Sequence, residues 1–173
     1  IDGGSIDDTL EIVKKNKDKD LSLFSSKDKG LYYAINKGIK LSSGNIIGIL
    51  HSDDFYNNDR VISDVVNTFL DTNADLVYGD LEYVSKKPPF KKIRNWKAGE
   101  FKEKNLKKGW MPPHPTVFVK KKIFTKIGGY NTKYKISSDY DFLIRALSNK
   151  DIKKKYIKKI LVKMRIGGKS NKS

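Results

Sequence analysis

The chain of 173 residues contains no cysteine. That excludes disulfide staples, a thiolate nucleophile and any zinc site built on cysteine sulfur, and it fits a reducing, cytoplasmic compartment. No apolar run approaches the roughly 20 residues that a membrane-spanning helix needs. Arginine is also scarce, supplying 4 of the 36 basic side chains. A reader of nucleic-acid sequence would use more of it for bidentate base contacts, so no nucleic-acid partner is expected. There is no internal repeat.

What is present is a globular composition, 38% hydrophobic and 32% charged, long enough for one domain with a real core. The net charge of +16 is divided unevenly. Residues 1–80 carry 9 basic and 14 acidic side chains, whereas residues 81–173 carry 27 and 6. The acidic half suits a bound cation. The basic half suits phosphates or the anionic inner face of the plasma membrane, and a solvated lysine-rich surface is its plainest alternative.

Patterning gives the elements. Ser5-Ile6-Asp7-Asp8 has capping-box spacing and predicts a helix through Leu10, Ile12 and Val13. Leu21–Phe24 predicts a short strand. Gly30 opens a second helix with Leu31, Ala34, Ile35, Gly38 and Leu41 on one face. Ile46–Leu50 reads as a fully buried strand, and Ile62, Val65, Val66, Phe69 and Leu70 mark a third helix. Strands follow over 75–79 and 81–84. The alternation predicts an α/β fold with a mostly parallel, helix-covered sheet. Beyond residue 85 the order breaks at Pro88-Pro89. It resumes with a strand over 116–119, a short helix over 122–127 stopped by Gly128-Gly129, a helix over 139–147 and a strand over 160–164. A polar tail is expected from Gly168 to Ser173.

Candidate chemistry sits at the ends of these elements. A buried strand running into Ser52-Asp53-Asp54 puts two carboxylates at a sheet edge, where α/β folds bind ligands. They suit a divalent metal facing an anion, or else a helix-capping turn. Asp2-Gly3-Gly4-Ser5 is a strand-end acid followed by a glycine turn. Lys27-Asp28-Lys29-Gly30 leads into the helix carrying Asn36-Lys37-Gly38. Trp110-Met111-Pro112-Pro113-His114-Pro115 is a rigid aromatic loop entering a strand. Ser137-Ser138-Asp139-Tyr140-Asp141 places acids at a helix start, with Asp141 spaced to pair with Arg145 at i, i+4. Asp139 is also suited to capping that helix.

This ordered set resembles the family 2 glycosyltransferases of the GT-A fold, closest to the non-processive bacterial surface-polysaccharide type. The resemblance runs from residue 1 to about residue 168. It implies a Rossmann-like, mostly parallel central sheet with helices on both faces and a small antiparallel extension. It also implies a single domain over 1–173, with a nucleotide-binding half (1–84) and an acceptor-binding half (85–173). Because Ile1 reads as the end of a strand, a preceding strand and helix are expected to be lacking.

By the same resemblance, Asp2, Ser5, Asp28, Gly30, Asn36, Lys37, Ser52 and Asp53 bind the nucleotide-sugar, and Asp53 and Asp54 hold Mn²⁺ or Mg²⁺. Asp139 is the general base. From the residues themselves, Trp110 is suited to stack on an acceptor sugar or to fill the core, and His114 to meet the acceptor or to pack in its loop. The chain departs from the commoner pattern at Gly3, Tyr33, His51 and Ser138, where relatives more often carry acids. The implied activity is inverting, metal-dependent transfer of a sugar, expected to be UDP-linked, to a glycan or lipid-linked hydroxyl during surface-polysaccharide synthesis. An inactive or incomplete fragment of such an enzyme is the alternative, with a basic nucleic-acid-binding module behind it.

Overall fold

The computed structural model describes residues 1–167, so the polar tail expected from Gly168 lies outside the described residues. The helices are α1 (Thr9–Lys15), α2 (Leu31–Leu41), α3 (Val61–Thr72), α4 (Glu103–Leu106), α5 (Lys121–Ile127) and α6 (Ser138–Ser148). The strands are β1 (Ile46–Gly48), β2 (Asp54–Tyr56), β3 (Leu76–Val84), β4 (Lys92–Trp96), β5 (Phe118–Lys120) and β6 (Lys154–Arg165).

The sheet runs β1-β5-β3-β6-β2, with β4 paired to β3. The α/β architecture is the one expected, but the sheet is mixed rather than mostly parallel. Among the described strands only β3 and β6 pair in parallel, while β1–β5, β3–β5, β3–β4 and β2–β6 are antiparallel. The reason is the insertion of β5 between β1 and β3. Those two strands and β6 share a direction, and β5 runs against them.

Period-two alternation along the central strands divides the core in two. Leu76 and Tyr78 of β3, Val119 of β5 and Ile47 of β1 face α2, α5 and α6, where they meet Ile39, Phe124, Phe142 and Leu143. Val77, Phe118 and Leu161 face the other side and pack on Val61, Val65 and Phe69 of α3. Both faces of the sheet are therefore covered by helices. At Gly79 the strands approach so closely that a Cβ would lie 2.6 Å from Leu161 Cγ.

Local predictions differ from the structure in instructive places. The capping box does not form: α1 starts at Thr9, after Asp8, and the Ser5 hydroxyl turns back to Asp2. Leu21–Phe24 is no strand, and a single parallel bridge joins Asp2 to Ser25. Ile46–Leu50 is not fully buried. Leu50 is 40% exposed, and this side of β1 borders a cavity of about 540 Å³ together with Ile1 and the apolar face of α2.

Candidate functional site

Three chain turns converge at one end of the sheet. In the first, the backbone folds around the Asp2 carboxylate. Its Oδ2 accepts bonds from the Gly4 and Ser5 amides at 2.9 and 3.0 Å and from the Ser25 hydroxyl at 2.6 Å. Its Oδ1 accepts from the Ser5 hydroxyl at 2.5 Å. The hydroxyls of Ser25 and Ser5 hold Asp2 far below the usual carboxylate range. Asp2 and Ser5 thus build the turn itself.

The second turn holds Ser52-Asp53-Asp54, between β1 and β2. Arg165 clasps it from the end of β6, donating to the Asp53 carbonyl at 2.7 Å and to the Ser52 carbonyl at 3.0 Å. Asp53 is exposed. Asp54 is buried, and neither of its carboxylate oxygens has a hydrogen-bond partner. Burial first, and then the charge of Asp53, push its carboxyl up to about 6. A buried acid with two empty acceptor sites beside an exposed acid fits a divalent cation. Among the described residues no cluster of three metal-binding side chains exists. Mg²⁺ and Mn²⁺ held largely by water and diphosphate oxygens need fewer protein ligands than that.

The third turn opens α6. Ser137, in the left-handed region at φ 70°, stands before the first turn, so Asp139 lies inside the helix and does not cap it. Asp139 Oδ1 accepts a hydrogen bond from the Tyr32 hydroxyl at 3.1 Å. Tyr32 stacks on Tyr130 at 5.9 Å, and Tyr130 on Phe142 at 4.9 Å. This aromatic column ties the candidate base to α2 and to the core. Burial, then the charge of Asp139, raise the Tyr32 hydroxyl.

His51 and His114 join the second and third turns. Their rings lie 6.1 Å apart. Burial lowers His51, while the charges of Asp139 and Asp53 oppose it. One imidazole therefore feels both the candidate base and the candidate metal segment. Burial takes His114 down to about 4, leaving a neutral imidazole whose Nε2 shares a 2.7 Å hydrogen bond with the Tyr130 hydroxyl.

The other predicted residues act mainly as fasteners. Asn36 donates to the Tyr130 carbonyl at 2.7 Å and accepts from the Tyr130 amide at 2.9 Å. A Cβ on Gly129 would sit 2.5 Å from Asn36 Oδ1. Lys37 bonds the Ser26 hydroxyl at 2.5 Å and lies 3.7 Å from Asp28. Asp28 keeps one buried oxygen, Oδ2, without a partner, and Gly30 precedes α2 at φ 144°. Trp110 donates to the Ala98 carbonyl at 3.0 Å and packs on Tyr78 and Phe101. Arg145 pairs with Asp141 as its spacing predicts, at 2.8 Å, and also ties the carbonyls of Ile127 and Gly129.

Sequence reasoning passed over Tyr32, Tyr130 and Arg165. The only signal for Tyr32 was its place beside Tyr33 at the start of α2. Nothing local marks Arg165, which reaches the acidic turn from the far end of the chain.

A protein-family model described as glycosyl transferase family 2 matches residues 1–138, ending one residue before Asp139. A PGL/p-HBAD biosynthesis glycosyltransferase of Mycobacterium bovis is 32% identical over 178 aligned positions, covering 99% of this chain. The chain spans 66% of that relative's length. An uncharacterised glycosyltransferase of Methanocaldococcus jannaschii is 29% identical, with 93% of this chain and 57% of the relative aligned. Among solved structures, S. aureus TarS 1–349 in complex with UDP-GlcNAc superposes with a TM-score of 0.77 at 17% identity. That match covers 96% of this chain and 48% of the TarS 1–349 chain, and it establishes the GT-A fold. The converging turns, the fold and the span of the family match lead to one assignment: this chain belongs to glycosyl transferase family 2.

Proposed function

We propose that the chain is the catalytic part of an inverting, metal-assisted glycosyltransferase. It takes a nucleotide-sugar, UDP-linked, and glycosylates a hydroxyl of a glycan or lipid-linked acceptor during cell-surface glycan synthesis. The observation that carries this reading is the ring chain between the two acidic segments: His51, beside the Ser52-Asp53-Asp54 turn, lies 6.1 Å from His114, whose Nε2 bonds Tyr130, and Tyr130 stacks on Tyr32, the hydrogen-bond donor to Asp139.

Asp139 stands as general base, taking the acceptor hydroxyl proton as that oxygen attacks the anomeric carbon. The bond to the nucleoside diphosphate breaks on the opposite face, and the configuration inverts. Asp53 and Asp54 are the residues that would hold Mn²⁺ or Mg²⁺. When bound, such an ion supplies Lewis-acid neutralisation of charge on the leaving diphosphate. Arg165 keeps the acidic turn in shape through its backbone carbonyls. The unpartnered Asp28 oxygen is suited to accept a donor N–H or O–H from the nucleotide. Support for a UDP-sugar comes from TarS, solved with UDP-GlcNAc. The Mycobacterium bovis relative is a glycosyltransferase of PGL/p-HBAD biosynthesis, which supports a biosynthetic acceptor.

No helix among the described residues is long and apolar enough to cross a membrane. The basic charge of residues 81–173 supports peripheral docking on an anionic leaflet at the cytoplasmic face.

Asp139→Asn tests the assignment. Turnover should fall by at least about 100-fold while donor binding persists. Retained turnover would place the base elsewhere.

A further inference from the structure

A second cavity, of about 450 Å³, opens where α2 begins. Its walls include Lys29, Tyr32 and Tyr33 on one side and Tyr134, Lys135 and Ile136 on the other. Four of its apolar side chains are left in water: Ile136 is 80% exposed, Leu31 55%, Tyr134 49% and Tyr33 41%. Large exposed apolar groups gathered around one concavity mark a contact surface. Lys29 and Lys135 form no ion pair among the described residues. The segment ends in Ser137, one of two non-glycine residues with positive φ among the described residues. Such backbone conformations cluster at active sites and ligand clamps. The wall residue Tyr32 also donates to Asp139, so the cavity adjoins the candidate base.

We propose that this cavity is an acceptor subsite for a sugar ring with an anionic group, phosphate or carboxylate, attached beside it. The inference rests on the reading of Asp139 as the base. A pyranose has one face rich in C–H groups, which packs on an aromatic ring such as Tyr134 or Tyr33. A neighbouring anion would meet the Lys29 and Lys135 ammonium groups, which no carboxylate among the described residues pairs with. A hydroxyl of the seated ring then points past Tyr32 to Asp139. A neutral sugar keeps the ring contact and loses the charge contact, so the cavity selects between acceptors.

Saturation-transfer NMR on the intact chain tests this with three probes: a hexose 1-phosphate, a methyl hexuronide and a neutral methyl hexoside. At least one anionic probe should bind about 10-fold more tightly than the neutral one, a difference of about 1.4 kcal/mol. The two anionic arms tell phosphate from carboxylate. Lys29→Glu with Lys135→Glu should abolish the preference, and Tyr134→Ala should weaken all three probes, without change in melting temperature. Equal binding of charged and neutral probes, or a preference that survives the double substitution, overturns the proposal. Turnover does not enter this readout. An active Asp139→Asn enzyme would defeat the base assignment and leave the sugar-binding result to be judged separately.

Discussion

Asp54 and Asn36 show how differently single residues serve this site. Asp54 is buried without partners, and its carboxyl is raised from 3.8 to about 6. The folded chain thus holds that proton more tightly than the unfolded chain does. In the metal-free protein the stabilising contribution is full below about pH 4 and is lost as pH rises through about 6. Asp54→Asn should therefore be more stable than the parent near pH 7, by up to about 2–3 kcal/mol, and equal to it near pH 4. Urea unfolding at the two pH values measures this; an equal difference at both would show that ionisation is not the cause. Asn36 contributes through two hydrogen bonds to Tyr130. Asn36→Ala leaves a backbone amide and a carbonyl short of partners, and should cost about 2 kcal/mol in the same assay. The acidic turn, the helix-start acid and the Asn-Lys-Gly run were legible because each is a run of neighbouring residues at an element's end. Tyr32 bonding Asp139 was not, because 107 positions separate them and the packing of Tyr32 through Tyr130 onto Phe142 of α6 brings them together.

Helices with a strong apolar period were the most legible elements. Val61–Thr72, Lys121–Ile127 and Ser138–Ser148 fall within a residue or two of their predicted bounds. Strands were harder. β4 (Lys92–Trp96) carries mostly polar side chains, as an exposed edge strand can, and it gains its hold from partners such as Tyr83, over whose ring the Arg94 guanidinium lies at 4.6 Å. No local pattern announces such a strand. β6 was predicted over 160–164 but extends over Lys154–Arg165, because its pairing with β3 carries it past its apolar centre. That pairing leaves no space at Gly79, where a Cβ would lie 2.9 Å from the Lys159 carbonyl oxygen. Gly79→Ala should lower stability by about 1–3 kcal/mol, read as a fall in melting temperature. An unchanged melting temperature would mean that the strands separate more easily than this contact implies.

At the scale of the whole molecule, charge is divided unevenly along the chain. The acidic turn after β1 carries the candidate metal site, and the proposed acceptor cavity lies between the start of α2 and residues 132–136. The +21 carried by residues 81–173 follows from 27 basic and 6 acidic side chains. It should draw the protein onto vesicles containing anionic lipid, with binding that weakens steeply as salt rises. Flotation that is indifferent to lipid charge would remove membrane docking from the account. The α/β class and the order of motifs could be read from the sequence. The direction of β5 could not, since strand direction is a property of the assembled sheet.

The central claim is that this end of the molecule binds a nucleotide-sugar with the help of a divalent ion. Melting of the intact chain, followed with UDP-, GDP- and dTDP-sugars in the presence and absence of Mn²⁺, addresses it most directly. Donor at about 100 times its dissociation constant adds about 2.7 kcal/mol, a rise of a few degrees. The account predicts that rise with a UDP-sugar and Mn²⁺ together, and its loss in Asp53→Ala. No Mn²⁺-dependent shift with any of the donors would contradict it.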